Sequence, residues 1–200
     1  MRHIIIKLSR GGDSMTLSEM KKKVLALIEE LNPNSEYLTD DPDISAKMED
    51  VITQIMFELA RFKKIPDYVE LEVEEGQLLR FEDITDETDY EVYQINMIRG
   101  VEYESKAQGT VIKMLESGTA EIEYFRYPTR ITDKNREKYT LELSADALEI
   151  MPYGVAGDLL KSDISTEYGV MYSRRYNEMI QQLDPRYAMT SVYIDGGVYI

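Results

Sequence analysis

The chain has 200 residues, enough for one domain with a sizeable core or for two small lobes, and its 43% hydrophobic content marks a globular sequence. It has no cysteine, which removes disulfides, thiolate catalysis and thiolate zinc sites, and its one histidine is His3. A net charge of -15 argues against a grip on nucleic acid, which depends on neutralising phosphates with Lys and Arg; ten of those charges fall within residues 66–143.

Residues 1–14, MRHIIIKLSRGGDS, are basic and unlike the rest. Arg10-Gly11-Gly12-Asp13 can be encoded by a purine-rich run resembling a bacterial ribosome-binding site, placed just before Met15. Residues 1–14 are therefore expected to be a non-native leader, with Met15 as the start. The alternative is a genuine strand, HIIIKL, and the intact mass of protein from its native locus separates the two. HIII is too short for a signal-peptide core, and no apolar run approaches the ~20 residues of a membrane span. A cytosolic or virion-interior protein with no membrane partner is the simplest expectation.

From Met15 the helical signals are clean. TLSE is a capping box, with Thr16 as N-cap and Glu19 three residues on. Leu17, Met20, Val24, Leu27, Ile28 and Leu31 follow at helical spacing, and Asn32-Pro33 predicts the stop. Asp41-Pro42 predicts a second start, and Ile44, Met48, Val51, Ile52, Ile55, Leu59 and Phe62 carry that helix to about Lys64.

After Pro66 the period falls to two. YVELEVEEG, YEVYQINMIRG, VEYESKAQG, TVIKMLESG and TAEIEYFRY read as successive strands, with Gly100, Gly109 and Gly118 at turns between them. KYTLELS reads as a last strand or an extended lead-in. At Ser144 helical spacing returns in SADALEIMPYGVAGDLLKSD, then in STEYGVMYSRRYNEMIQQLD, which Asp184-Pro185 stops. The end, TSVYIDGGVYI, alternates like a strand.

The expected class is α+β. Two helical hairpins, 15–65 and 144–186, close into one bundle. An antiparallel β-rich module, sandwich- or barrel-like, is inserted at 66–143, and a strand-like tail covers 187–200.

Candidate sites are few. Asp40, Asp41 and Asp43 suit helix capping, and Asp83, Asp86, Glu87 and Asp89 suit a solvated loop; neither group has the turn glycine of a calcium loop. No metal or cofactor is expected, and catalysis is not, although a carboxylate hydrolase has the abundance of acids behind it. Gly154-x-x-Gly157 followed by Lys161-Ser162 lacks the preceding strand of a phosphate loop. The competing expectation is a packing strip of Gly154, Ala156 and Gly157 on a helix kinked at Pro152. In EYFRYPTR, Tyr124, Phe125, Arg126, Tyr127 and Arg130 have the composition of an interface, or of an ordinary amphipathic strand.

TLSEMKKKVLALIEELNPNSEYLTDDPDISAKMEDVITQIMFELARFKKIP is similar to the opening helices of head–tail connector (adaptor, head-completion) proteins of tailed bacteriophages and prophages. LEIMPYGVAGDLLKSDISTEYGVMYSRRYNEMIQQLD resembles their second half, and YIDGGVYI their short tail. The likeness covers 15–65 and 144–200; the β-rich insertion departs from the smaller, all-helical members. The resemblance implies a structural virion protein of the neck, assembled in the host cytoplasm. It implies a ring of copies of the chain, typically twelve-fold, that can be monomeric in isolation. That ring would dock on the portal, meet a tail-side neck protein, and let DNA pass without specific binding.

Tyr193, Ile194, Val198, Tyr199 and Ile200 are the expected docking residues by strand addition, the alternative being pairing of the tail with its own β-rich module. A different function class stays open: an adhesion or ligand-binding protein of a phage or bacterium that works through the β-rich module.

Overall fold

Thr16 starts the described fold as a helix cap. Its hydroxyl accepts the Glu19 N–H at 3.2 Å, and the Glu19 carboxylate accepts the Thr16 N–H at 2.8 Å. The computed structural model describes residues 15–34, 36–107, 110–161 and 167–183. Helix α1 (Leu17–Leu27) ends short of the predicted Asn32-Pro33 stop, because Glu29 takes a left-handed φ of 62° and turns the chain. Helix α2 (Pro42–Phe62) starts where Asp41 Oδ1 accepts the N–H groups of Asp43 and Ile44 at 2.8 and 3.2 Å. Its buried stripe is Met48, Ile52, Ile55, Met56 and Leu59.

The middle of the chain gives β1 (Ile65–Val73), β2 (Leu78–Arg80), α3 (Phe81–Thr88), β3 (Val92–Arg99), β4 (Tyr103–Lys106), β5 (Val111–Met114) and β6 (Gly118–Arg126). They form two antiparallel three-stranded sheets, ordered β1-β6-β3 and β2-β5-β4. In the first, Val69 faces Ile122 and Leu71 faces Ala120. One hydrophobic cluster draws on both sheets and α3, with Ile122, Met114, Leu79 and Ile84 among its members.

Two expectations are corrected here. The sheets do not close into a barrel: β2, β4 and β5 have only three or four residues each, and each sheet keeps two edge strands. The acidic run at 82–89 is a helix, α3, and not a loop. Asp83 Oδ2 accepts the Arg80 N–H at 2.7 Å, Ile84 and Thr88 are buried one turn apart, and Asp89 ends the helix in a left-handed conformation. Its early acids complement the positive end of the helix.

Residues 139–141 run extended beside the start of α1. The Leu17 N–H donates to the Tyr139 carbonyl at 2.9 Å and the Leu141 N–H to that of Met15 at 2.8 Å. Of its two readings, KYTLELS is thus the extended lead-in, with a single bridge, Thr16 with Thr140.

Helix α4 (Ala145–Leu159) continues through the buried Pro152, and α5 (Tyr168–Leu183) follows. Helices α1, α2, α4 and α5 share a second hydrophobic cluster with Tyr139 and Leu141. Fold class is therefore α+β, with one cluster made mainly by helices and one mainly by strands.

The α4–α5 contact is backbone-close. A Cβ added to Gly154 would lie 2.8 Å from the Tyr176 ring, and one on Gly157 would lie 2.9 Å from the Ser173 backbone nitrogen. Gly169 of α5 makes the reciprocal approach, where a Cβ would lie 2.7 Å from the Leu160 carbonyl oxygen. The paired positions 154/176, 157/173 and 160/169 run in opposite directions, so the helices are antiparallel. Ala156 is fully buried on α4. Gly157→Ala should destabilise the protein by about 1–3 kcal/mol through overpacking, outweighing the ~1 kcal/mol an alanine gains in helix propensity. Urea denaturation measures it, with the exposed Asn177→Ala as a control expected to stay within about 0.5 kcal/mol.

Candidate functional site

Strand β6 alternates, and that alternation sorts EYFRYPTR. Ile122, Tyr124 and Arg126 point to the buried side; Glu121, Glu123 and Phe125 point to the other. Tyr124 is 1% exposed, so it belongs to the core. Arg126 has a side chain only 11% exposed. Its Nε donates to Asp67 Oδ2 at 3.0 Å, its Nη1 donates to Glu142 Oε2 at 2.5 Å, and its guanidinium lies 3.9 Å from the Tyr90 ring centre. Burial disfavours the guanidinium's charge, but the hydrogen bond and charge of Glu142, then the bond to Asp67, outweigh it and raise its pKa above the ordinary value.

Glu142 also takes the hydroxyl of Thr129 at 2.9 Å, and the Thr129 carbonyl accepts the Tyr139 hydroxyl. Tyr139 packs in the helical cluster, with its hydroxyl 3.5 Å from Met56 Sδ. The chain of contacts thus runs from β1 through β6 and the 127–143 segment into α2.

Tyr127 and Arg130 join the two clusters from the other side. The Tyr127 ring stacks on Phe57 of α2 at 5.1 Å and tilts against Tyr93 of β3 at 4.7 Å. Arg61 Nε donates to the Tyr127 hydroxyl at 2.9 Å, and the Tyr93 hydroxyl donates to the Ala60 carbonyl at 3.0 Å. Arg130 sits 4.8 Å from the Phe57 ring centre and pairs with Glu91 at 2.9 Å. Lys64 lies 4.6 Å from the Phe125 ring centre.

Of the two readings of EYFRYPTR, the amphipathic strand is what β6 has through Arg126, and the stretch joins the two clusters within one chain. Tyr124 and Arg126 are buried and offer no surface to a partner, which corrects the interface expectation at both positions; Phe125 and Tyr127 are half-buried and Arg130 is exposed. Sequence reading missed Asp67, Tyr90, Tyr139 and Glu142, which are scattered over 76 positions. One signal was available: a lone Arg at a core-facing strand position needs a carboxylate partner.

Beside the joint lies a half-open cleft of about 1120 Å³, between the outer face of the β1-β6-β3 sheet and residues 135–145. Pro66, Tyr68, Phe125 and Leu143 supply apolar walls, and Glu121 and Glu123 stand on the sheet side. Arg99 pairs with Glu123 at 3.2 Å. Glu121 faces Glu70 directly across the strands, so that rim keeps excess negative charge.

A second surface feature is the start of α5. Its buried side is Gly169, Tyr176, Ile180 and Leu183, while Tyr168, Val170 and Met171 are 56%, 74% and 49% exposed beside Arg174. The Tyr172 hydroxyl donates to the Leu27 carbonyl at 2.7 Å, fixing α5 to the end of α1.

Asp41 caps α2 and Asp83 takes part in the cap of α3, whereas Asp40 accepts from the Asn32 side-chain Nδ2 at 2.6 Å. Among the described residues no group of three or more His, Cys, Asp or Glu side chains is placed to hold a metal ion, and no helix is long and apolar enough to cross a membrane. The expected docking residues Tyr193, Ile194, Val198, Tyr199 and Ile200 lie outside the described residues, as do the leader 1–14 and Gly109. No protein-family model matches the chain, and no curated protein does.

Two outcomes follow. Arg126→Met should leave Asp67 and Glu142 facing each other without a cation and cost up to the ~3–5 kcal/mol of a broken buried pair, read by urea denaturation. Burial, and then the neighbouring Tyr127 for Tyr93 and Asp67 for Tyr124, push both hydroxyls up to about 12. Their stabilising effect is complete below the unfolded tyrosine pKa of ~10 and is lost as pH rises from there through the folded value. The melting temperature should fall across that window, and Tyr93→Phe should lessen the fall.

Proposed function

We propose that the chain is a structural neck protein of a tailed bacteriophage or prophage. In this reading it is a head–tail connector whose copies form a ring between portal and tail, and it carries out no catalysis. Its four helices α1, α2, α4 and α5 form a connector bundle from two hairpins separated in sequence. The two sheets form a small open sandwich inserted between those hairpins.

The observation that carries this reading is the start of α5, where Tyr168, Val170 and Met171 stand exposed on a helix otherwise anchored by backbone-close packing. A rigid helix that presents an apolar patch suits contact with another protein copy. Helix-helix packing also explains the Gly154 and Gly157 spacing without a ligand. The acidic surface fits a passage in which DNA slides without sticking, because like charges repel. Portal, a tail-side neck protein and further copies of the chain are the partners.

Negative-stain electron microscopy of the concentrated protein, alone and mixed with its portal, should show rings. Single copies in both preparations would overturn the reading.

A further inference from the structure

Two bodies meet at Arg126. Among the described residues, the hydrophobic cluster of the helices and that of the sheets share no member. The chain passes between them twice, through Lys63 and Lys64 into β1 and out of β6 after Arg126. Ile65 and Arg126 are register partners, so both crossings leave the sheet at the same end. Adjacent crossings of this kind permit rotation, and side-chain ties set the angle.

The cleft has one wall on each body. Its sheet wall carries Arg126, held by Asp67 of β1 at 3.0 Å and lying 3.9 Å from the Tyr90 ring centre. Its other wall, residues 135–145, is fastened to the helices. There the Leu17 N–H donates to the Tyr139 carbonyl, the Leu141 N–H donates to the Met15 carbonyl, and Arg136 pairs with Glu49 of α2 at 2.8 Å. Glu142 belongs to this second wall, and its Oε2 accepts from Arg126 Nη1 at 2.5 Å.

Each half of that ion pair has a further partner on its own side. Arg126 has Asp67 and Tyr90, while Glu142 Oε1 accepts the Thr129 hydroxyl at 2.9 Å. Parting Arg126 from Glu142 therefore leaves neither charge alone. The guanidinium keeps a carboxylate, and the Glu142 side chain, 30% exposed, already reaches water. On the other side of the crossing, Tyr127 stays between Phe57 and Tyr93, with Arg61 Nε donating to its hydroxyl. The exposed Arg130–Glu91 pair lies on that side too and adds little.

We propose that the Arg126–Glu142 pair is a clasp that sets how far the cleft stands open, with the Tyr127 stack as the pivot. Closed, it holds the cleft at about 1120 Å³. Released, the walls part on the Arg126 side and uncover Pro66, Tyr68, Phe125 and Leu143, while both cores keep their packing. The clasp works within a single copy and needs no ring.

The chain has no native cysteine, so Glu121→Cys on the sheet wall and Lys138→Cys on the other give one spin-label pair across the cleft. Both native side chains are exposed. Pulsed electron paramagnetic resonance on the full chain reads the distance, with and without Glu142→Ala or Glu142→Lys. Both changes should shift the distance distribution to longer values and leave the near-UV circular dichroism as it was. Asp67→Asn, which cuts a pair inside one wall, should keep the shorter distance. An unchanged distance in both Glu142 variants, the same widening in Asp67→Asn, or loss of the near-UV signal in the Glu142 variants would each overturn the clasp.

Discussion

The guanidinium of Arg126 sits where two hydrophobic cores meet, and the arrangement of the whole chain depends on its charge being matched. A buried cation costs several kcal/mol of lost hydration, and only well-placed anions offset that. Asp67 comes from the neighbouring strand, where register holds it beside Tyr124. Glu142 comes from the segment that leads back to the helices and also fixes Thr129. The pairing therefore does more than neutralise: it specifies where the returning chain lies on the sheet. Tyr127 between Phe57 and Tyr93 adds an aromatic contact at a second point, so rotation about the joint is resisted from two sides.

Close approach of α4 and α5 is the second constraint. With hydrogen in place of a side chain at 154, 157 and 169, the helices approach until ring and backbone atoms meet. Tyr176 fills the space over Gly154, and Tyr172 reaches the end of α1. Such a pair leaves little freedom in how α5 presents its outward side, and a well-held side chain loses less entropy when a partner binds.

Much of the helical part was legible in sequence because caps and 3.6-residue spacing are local signals. Thr16 with Glu19, and Asp41 with Pro42, mark helix starts that the structure has. The strands were legible by alternation, apart from the three-residue β2. Reading failed where local and tertiary signals diverge. The run EDITDETD looks like a solvated loop because five of its eight residues are exposed acids, while one isoleucine and one threonine do the burying. KYTLELS alternates like a strand, and of its two readings the extended lead-in is what forms: it makes a single bridge beside the start of α1. Arg126 looked like a partner-facing residue because Tyr and Arg are common at interfaces; the interface they serve is internal. Its partners could not be read from spacing, since Asp67 and Glu142 become neighbours only through the fold.

The split of the helical core between the two ends of the chain has a consequence for synthesis. A ribosome delivers α1 and α2 first, with Ile52, Met56 and Leu59 lacking the α4 and α5 surfaces that cover them. All described strands of both sheets lie within residues 65–126, so these components of the β-rich part are complete while the helical part still waits. Among the described helices, the last made, α5, completes the first-made core. A chain cut short before α5 would carry a finished β-rich half and an unsealed apolar stripe, the kind of product that cellular quality control removes.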